Sequence, residues 1–318
     1  MVGKITPNDK VSASQMPSLF GVSPYTTPNG LLRSVRNWRD GIPDEYEAGE
    51  AAEWGNTFEP HILIKAAERL RVRDLETMHT EPFFADGVDL AASLDASAYA
   101  DNITIKNDVA IFPQGGDQMI LNGPGVIEAK LTSYAPEMFP PPWRGPLQLQ
   151  AQLLCTGWTW GCVATLYRGI DLRLALYERD EEIINQIKFR LKDFYNRLDE
   201  GGNFPIMESR DGVTAFPKAE PDAPEVMIPK SGLHADALKQ LVDATDRKKI
   251  AEAEIDEAQA ILMNLMGMHE TAHGLIDNTR YRLKWGMRKY KATPEKITPA
   301  KPERMVRQST ISFKVVEE

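Results

Sequence analysis

Residues 125–131 read Gly125-Val126-Ile127-Glu128-Ala129-Lys130-Leu131, and an aspartate lies upstream in Ser93-Leu94-Asp95-Ala96. On an extended strand alternate side chains share a face, so Glu128 and Lys130 point one way and Ala129 the other. Two carboxylates and an ammonium that converge suit cleavage of a phosphodiester. The carboxylates hold a hard divalent cation through oxygen. The cation polarises a phosphate and acidifies a water, and the ammonium steadies that water or the negative charge that develops. A Glu-x-Lys triplet alone turns up about once by chance in a chain of this length and ordinary composition. Its weight here comes from its setting: an apolar run around it, an acid upstream, and polar helices on either side.

Those helices and strands must position the groups. Residues 46–70 carry Trp54, Phe58, Ile62, Leu63 and Ala66 at helical spacing, which predicts a helix with these side chains inward. Gly55 and Glu59 stack four apart on it; a glycine there costs about 1 kcal/mol against alanine and suggests a close approach beside Glu59. Three strands are expected at 76–85, 88–96 and 118–131, interrupted by a polar insertion (Asp101-Asn102-Ile103-Thr104-Ile105-Lys106-Asn107-Asp108) and a Gln114-Gly115-Gly116-Asp117 turn. Residues 133–146 form a proline-rich loop. A helix at 147–157 carries Gln148, Gln150 and Gln152 and stops at Gly157. A hairpin follows at 161–167 and 171–178, then a helix capped by Asp180 and running to about Leu198. Upstream, Asn29–Arg39 reads as a helix ended by Asp40-Gly41, with Arg33, Arg36 and Arg39 in a row at helical spacing. That row is either a solvated basic face or a track of phosphate contacts.

The chain of 318 residues is long enough for one large or two modest domains. Residues 1–209 read as the core and 210–232, with Pro217, Pro221, Pro224 and Pro229, as a linker. Residues 233–318 hold a long helix at about 235–268 and two strands, around Asn278–Trp285 and Arg307–Lys314. On that helix Leu241, Ala244, Lys248, Ala251, Ile255, Ala258, Leu262 and Leu265 make a heptad seam with one polar position. Hydrophobic content of 42% and charged content of 26% are those of a soluble globular chain. No apolar run reaches the roughly 20 residues that cross a bilayer, so no membrane partner is expected. Cys155 and Cys162 are too few for a disulfide scaffold or zinc ribbon and read as buried thiols in a reducing cytoplasm. The net charge of −9 argues against a general nucleic-acid binder, although a nuclease can confine its cations to a groove.

The order of these features resembles the PD-(D/E)xK nuclease superfamily: a helix with Gly-x-x-x-Glu, a strand with Ser-Leu-Asp, a strand with Ile-Glu-Ala-Lys, then a Gln-rich helix. More narrowly, it resembles the YqaJ or lambda-type alkaline exonucleases of phage recombination, over most of residues 10–200. The resemblance implies an α/β fold: an αβββαβ core, a mixed sheet flanked by helices, with a C-terminal long-helix extension. It implies a Mg²⁺- or Mn²⁺-dependent exonuclease that digests linear duplex DNA 5′→3′ and leaves a 3′ single-stranded tail. Asp95 and Glu128 would be metal ligands with the Ala129 carbonyl, Lys130 the catalytic lysine, Glu59 the helix carboxylate, and Gln148 a positioner of nucleophile or phosphate. Ser14 would bind the terminal phosphate. The family's arginine before that serine is absent, with only Lys4 and Lys10 nearby, and Leu94 replaces the proline of the superfamily's name. The resemblance also implies a ring-shaped homotrimer, a single-strand annealing protein as partner, and residence in the cytoplasm of a bacterial host.

Each residue has a plainer reading: Asp95 in a turn, Glu59 on a solvated helix face, Gln148 at the surface, and Asp86 and Asp89 structural rather than sharing the metal. A different class comes from His269-Glu270-Thr271-Ala272-His273, the spacing of a zinc protease when it lies on a helix. Gly274 follows at once, no further histidine completes the longer motif, and Glu295 as third ligand would come from a Pro- and Lys-rich loop. A third class, a non-catalytic subunit that binds DNA ends, applies if the acids do not converge.

Overall fold

The computed structural model describes residues 6–42, 49–206, 208–216, 224–277 and 279–286. These fall into two units, one within Met1–Ala219 and one within Glu220–Met305.

The first unit opens with a 3-10 turn, Ala13–Gln15, and α1, Met16–Leu19. α2 runs from Pro28 to Arg39; Thr27 caps it by accepting from the Gly30 amide at 3.0 Å, and Pro28 fills a first-turn position where no amide partner is needed. α3, Glu50–Leu70, follows. Then come β1 (Arg73–Glu76), β2 (Phe83–Phe84), β3 (Ala91–Ala92), β4 (Ala96–Lys106), β5 (Ile111–Pro113) and β6 (Gln118–Thr132). α4, Pro146–Thr156, ends at Gly157 with φ +74, a left-handed stop that glycine takes without strain. β7 (Trp160–Tyr167) and β8 (Asp171–Glu178) form the expected hairpin. α5, Glu181–Glu200, is capped by Asp180, whose carboxylate accepts from the Glu182 and Ile183 amides.

Among the described residues the main sheet has six strands in the order β1-β4-β6-β7-β8-β5. It is mixed: β6 runs parallel to β7, and β4 antiparallel to β6. Helices cover both faces. Ile62, Leu63, Ala66, Ala67 and Leu70 of α3 pack on Ile127, Cys162 and Ala164, with Ala129 and Leu131 at the margin. Leu149 and Leu153 of α4 pack on Val126 and Val163 from the other side. A third apolar layer joins α4 to α1, α2 and α5. The strand period thus sorts β6 cleanly: odd positions into the α3 layer, even positions toward α4.

Four expectations change. The polar stretch 101–106 is no insertion but the outer half of β4, with Ile103 opposite Leu121 and Lys106 opposite Gln118. Its Asp101, Asn102, Thr104 and Lys106 are exposed while Ile105 is buried, which is the alternation of a hairpin wet on one face. The strands expected at 76–85 and 88–96 shrink to short pieces, and Asp95 lies in a bend just before β4 rather than on a strand. Trp54 is 51% exposed instead of core, and Gly55 has open space around it, so α3 enters the apolar layer only from Phe58 onward. A further helix, α6 (Ser209–Ala215), occupies the start of the stretch read as linker; buried Asn29 of α2 donates to Asp211 at 2.9 Å.

Gly125 stands opposite Trp160 across the β6–β7 ladder, and a Cβ on it would lie 2.1 Å from the buried indole. Gly125→Ala should therefore cost about 1–3 kcal/mol, measured as a lower urea midpoint with unchanged slope. An unaltered midpoint would mean that the indole has room to move.

The second unit holds α7, Leu233–Met266, and a hairpin of β9 (Thr271–Ile276) and β10 (Thr279–Lys284). The heptad positions fall within α7, and Leu262 and Met266 line a cleft with Leu283 and Trp285. The helix stops at Gly267, φ +53, so His269 and His273 do not stack on a helical face. His273 is in β9, paired with Arg282. His269 lies outside β9, before a bend at Glu270, so no single element holds the two imidazoles toward one zinc ion. The strand expected around Arg307–Lys314, and Glu295, lie outside the described residues. No helix among the described residues is long and apolar enough to cross a membrane.

Candidate active site

The register of the sheet brings the acids together. Ala96 pairs with Ile127, so Asp95, one residue earlier, falls beside Glu128. The Asp95 carboxylate accepts from the Ala129 amide at 2.9 Å. In a strand the N–H and C=O of one residue point to the same edge, so the Ala129 carbonyl faces the Asp95 side. Glu128 is almost wholly buried, 1% exposed, and faces α4. Lys130, next on that face, donates to Glu128 Oε1 at 2.5 Å and to Gln148 Oε1 at 3.2 Å.

α4 supplies the remaining contacts. Gln148 and Gln152, four apart, share the face toward β6. Gln152 is fully buried and donates to Glu128 Oε2 at 2.7 Å and to the Ser93 carbonyl at 3.1 Å. It clamps the Glu128 carboxylate to the segment that carries Asp95. Sequence reading placed no role on Gln152; the signal was its spacing of four from Gln148. Gln150 lies on the opposite side, donating to the Glu178 carbonyl and accepting from the Asp180 amide, and so fixes the β8–α5 junction.

Charge is concentrated here. Burial, and then the Glu128 charge, push the Asp95 carboxyl well above the usual carboxylate range. Glu59, part-buried on α3, is raised by burial and then by Glu128, with Lys130 opposing. Its carboxyl therefore feels both groups from the other layer of the fold. Burial pulls the Lys130 ammonium down, but Glu128 and Asp95 outweigh it and the net shift is upward. Lys130 is thus a firmly held cation and a hydrogen-bond donor.

A divalent metal fits this donor set. Among the described residues no group of three or more His, Cys, Asp or Glu is arranged to hold a metal. The protein offers two carboxylates, Asp95 and Glu128, and the Ala129 carbonyl. Mg²⁺ takes this kind of partial set, keeping one or two carboxylates and filling the rest of its shell with water and phosphate oxygens. Two acids crowded around one ammonium also gain from a second positive charge.

The other expected residues divide. Ser14 is exposed on the 3-10 turn, its Oγ 3.1 Å from that of Ser12. A bridge from Ser12 to Ala91 ties this turn to the chain just upstream of Ser93. Lys10 is paired with Asp89 at 2.8 Å, which accounts for both; Asp86 is exposed. The arginine row is not one surface. Arg36 donates to the carbonyls of Arg197 (2.9 Å) and Gly202 (2.5 Å), joining α2 to the end of α5. Arg39 pairs with Asp199 at 3.0 Å, and Arg33 is exposed. Arg36→Ala should strip those carbonyls and cost about 1–3 kcal/mol, seen as a lower melting temperature; unchanged melting would return Arg36 to the surface row. Cys162 is buried and Cys155 part-buried, its thiol pushed by burial up to about 12, so neither is a nucleophile.

Fold and site together define a mixed α/β protein with a part-buried acid–acid–lysine cluster, Glu128 at its centre, where β4 begins and β6 ends. A scan against protein-family models and a search of curated proteins both find no match. Among solved structures, the chain is similar to LHK-Exo, an alkaline exonuclease from Laribacter hongkongensis. The complex with dAMP gives a TM-score of 0.44 at 17% identity, covering 61% of this chain and 90% of that one. A second LHK-Exo structure gives 0.41 with the same identity and coverage. SSO0001 gives 0.33 at 14% identity, covering 64% of this chain and 82% of that one.

Proposed function

We propose that this protein is a metal-dependent deoxyribonuclease of the PD-(D/E)xK type, acting on the ends of linear duplex DNA. The observation that carries the reading is the convergence of Asp95, Glu128 and Lys130 on one another, with Gln148 in contact. When bound, Mg²⁺ or Mn²⁺ would supply Lewis-acid polarisation of the phosphate and a more acidic water.

The chain's own groups do the rest. Asp95 and Glu128 would hold the cation, with the Ala129 carbonyl beside them. Lys130, held as an ammonium, donates to an oxygen of the reacting phosphate and offsets its growing charge. Gln148 gives its carbonyl oxygen to Lys130, which leaves its amide N–H groups to orient the phosphate or the attacking water. Water oxygen bonds to phosphorus as the bond to the 3′ oxygen breaks; the water gives up one proton to solvent and the departing oxygen takes one up from it. Glu59 adds negative charge from α3 and would complete the acid set.

Polarity, product and partners follow the family resemblance: digestion 5′→3′, a 3′ single-stranded tail, a homotrimer around DNA, and an annealing protein that coats the tail in phage-type recombination. Digestion of end-labelled linear duplex beside closed circular duplex, with and without Mg²⁺, tests the reading. Mg²⁺-dependent loss of the linear form alone is expected. Cleavage in chelator, or equal loss of the circle, would overturn it.

Ser14 is the candidate for terminal phosphate, through its hydroxyl and nearby amides. Lys10 is a point charge already paired with Asp89, so it makes a poor substitute for an arginine fork. A modest preference for 5′-phosphate over 5′-hydroxyl ends is expected, reduced in Ser14→Ala. Equal initial rates on both ends in the wild type would remove Ser14 from the site. Arg33 and Arg39 stay as candidates for backbone contact.

A further inference from the structure

An aromatic cluster flanks the Lys130 end of β6. Trp143 sits between Tyr25 and Tyr134, with ring centroids 6.0 and 6.3 Å away and planes at 80° and 76°. Tyr25 is 82% exposed and Tyr134 57%. Arg144 is buried beneath, its guanidinium 4.9 Å from the Tyr134 ring, 5.3 Å from Trp143 and 5.7 Å from Tyr167. It pairs with Glu137 and donates to Thr132 Oγ1 at 3.4 Å, and the Tyr134 amide donates to that same hydroxyl at 3.3 Å. Thr132 lies two residues beyond Lys130 on β6, hence on the same face. Trp143 lies five residues before Gln148. Tyr134 and Trp143 are therefore fixed to the two chain segments that build the active site, and Tyr25 joins them from the turn before α2.

Rigid rings left open to water beside a phosphodiester-cleaving centre have an obvious complement. Every base has a π-face, and aromatic side chains bind single strands by stacking on it. Inside a duplex those faces are already stacked, so only unpaired or terminal bases can use the rings. Charge points the same way. At a net −9 the overall field of this protein repels a polyanion, and stacking is a source of affinity that salt does not screen.

We propose that Tyr25, Trp143 and Tyr134 form a stacking platform for unpaired bases of the DNA strand that passes the active site. The inference rests on the nuclease reading. Its test compares two labelled oligomers by fluorescence anisotropy in chelator: an oligothymidylate, and one of equal length whose residues are abasic. Both carry the same phosphates. The wild type should favour the oligothymidylate by about five- to tenfold. The exposed pair of changes, Tyr25→Ala with Tyr134→Ala, should erase that preference and leave the abasic affinity as it was. Tyr134→Phe, which keeps the ring, should retain it. Equal wild-type affinities for the two oligomers would overturn the platform, while Mg²⁺-dependent cleavage of linear duplex would still uphold the nuclease. Absence of both binding and cleavage would remove the two together.

Discussion

Lys130→Ala should keep the fold and lose cleavage by about a hundredfold or more. The ammonium touches Glu128 and Gln148 and is held charged by two carboxylates, so it acts on whatever oxygen becomes negative there. The loss should show in single-turnover rates at saturating protein, where DNA affinity no longer matters, with the far-ultraviolet spectrum unchanged. Near-normal single-turnover cleavage by a folded Lys130→Ala protein would place the chemistry elsewhere.

Glu128→Gln should be as severe for a different reason. The amide keeps the volume of a side chain packed at 1% exposure but removes the charge that a cation needs. Withdrawing several kcal/mol of charge stabilisation corresponds to a loss of about a thousandfold. DNA binding should survive, since one negative charge fewer faces the phosphates. Lost binding together with lost cleavage would assign Glu128 to the architecture instead. The neighbours should respond as well. In metal-free protein the raised Asp95 carboxyl contributes stability while protonated. That contribution is full below the ordinary aspartate range and is lost as pH rises through the raised value. Glu128 is part of the cause, so in Glu128→Gln this loss should be smaller.

Much of this site could be read from residue order because local rules and tertiary packing agree. The Asp180 cap, the Gly157 stop and the alternation through Val126–Leu131 each act within a few residues, and the structure keeps all three. Where long-range partners decide, the residues alone mislead. The outer half of β4 is polar because only one side of it is covered, and its strand character comes from β6 across the ladder. Trp54 has helical spacing, yet the apolar layer starts beyond it. Gln152 looks like its neighbours Gln148 and Gln150 until Glu128 and Ser93 are found on its side of α4. Arg36 looks like a surface cation until the end of α5 arrives with carbonyls to bind.

The two-sidedness of β6 makes strand register a condition for both solubility and activity. Sliding β6 by one residue would turn Glu128 and Lys130 into the layer of Ile62, Leu63 and Ala66, and turn Ile127 and Ala129 out toward the glutamines of α4. Burying that pair without its present partners would cost several kcal/mol, a large share of the 5–15 kcal/mol that holds a typical domain together. Gly125 guards the same register from the neighbouring ladder, since a slip would set Pro124 or Val126 against the indole of Trp160. A misregistered molecule would thus be inactive and poorly folded at once. Specific activity per milligram of protein then serves as a direct count of correctly zipped chains.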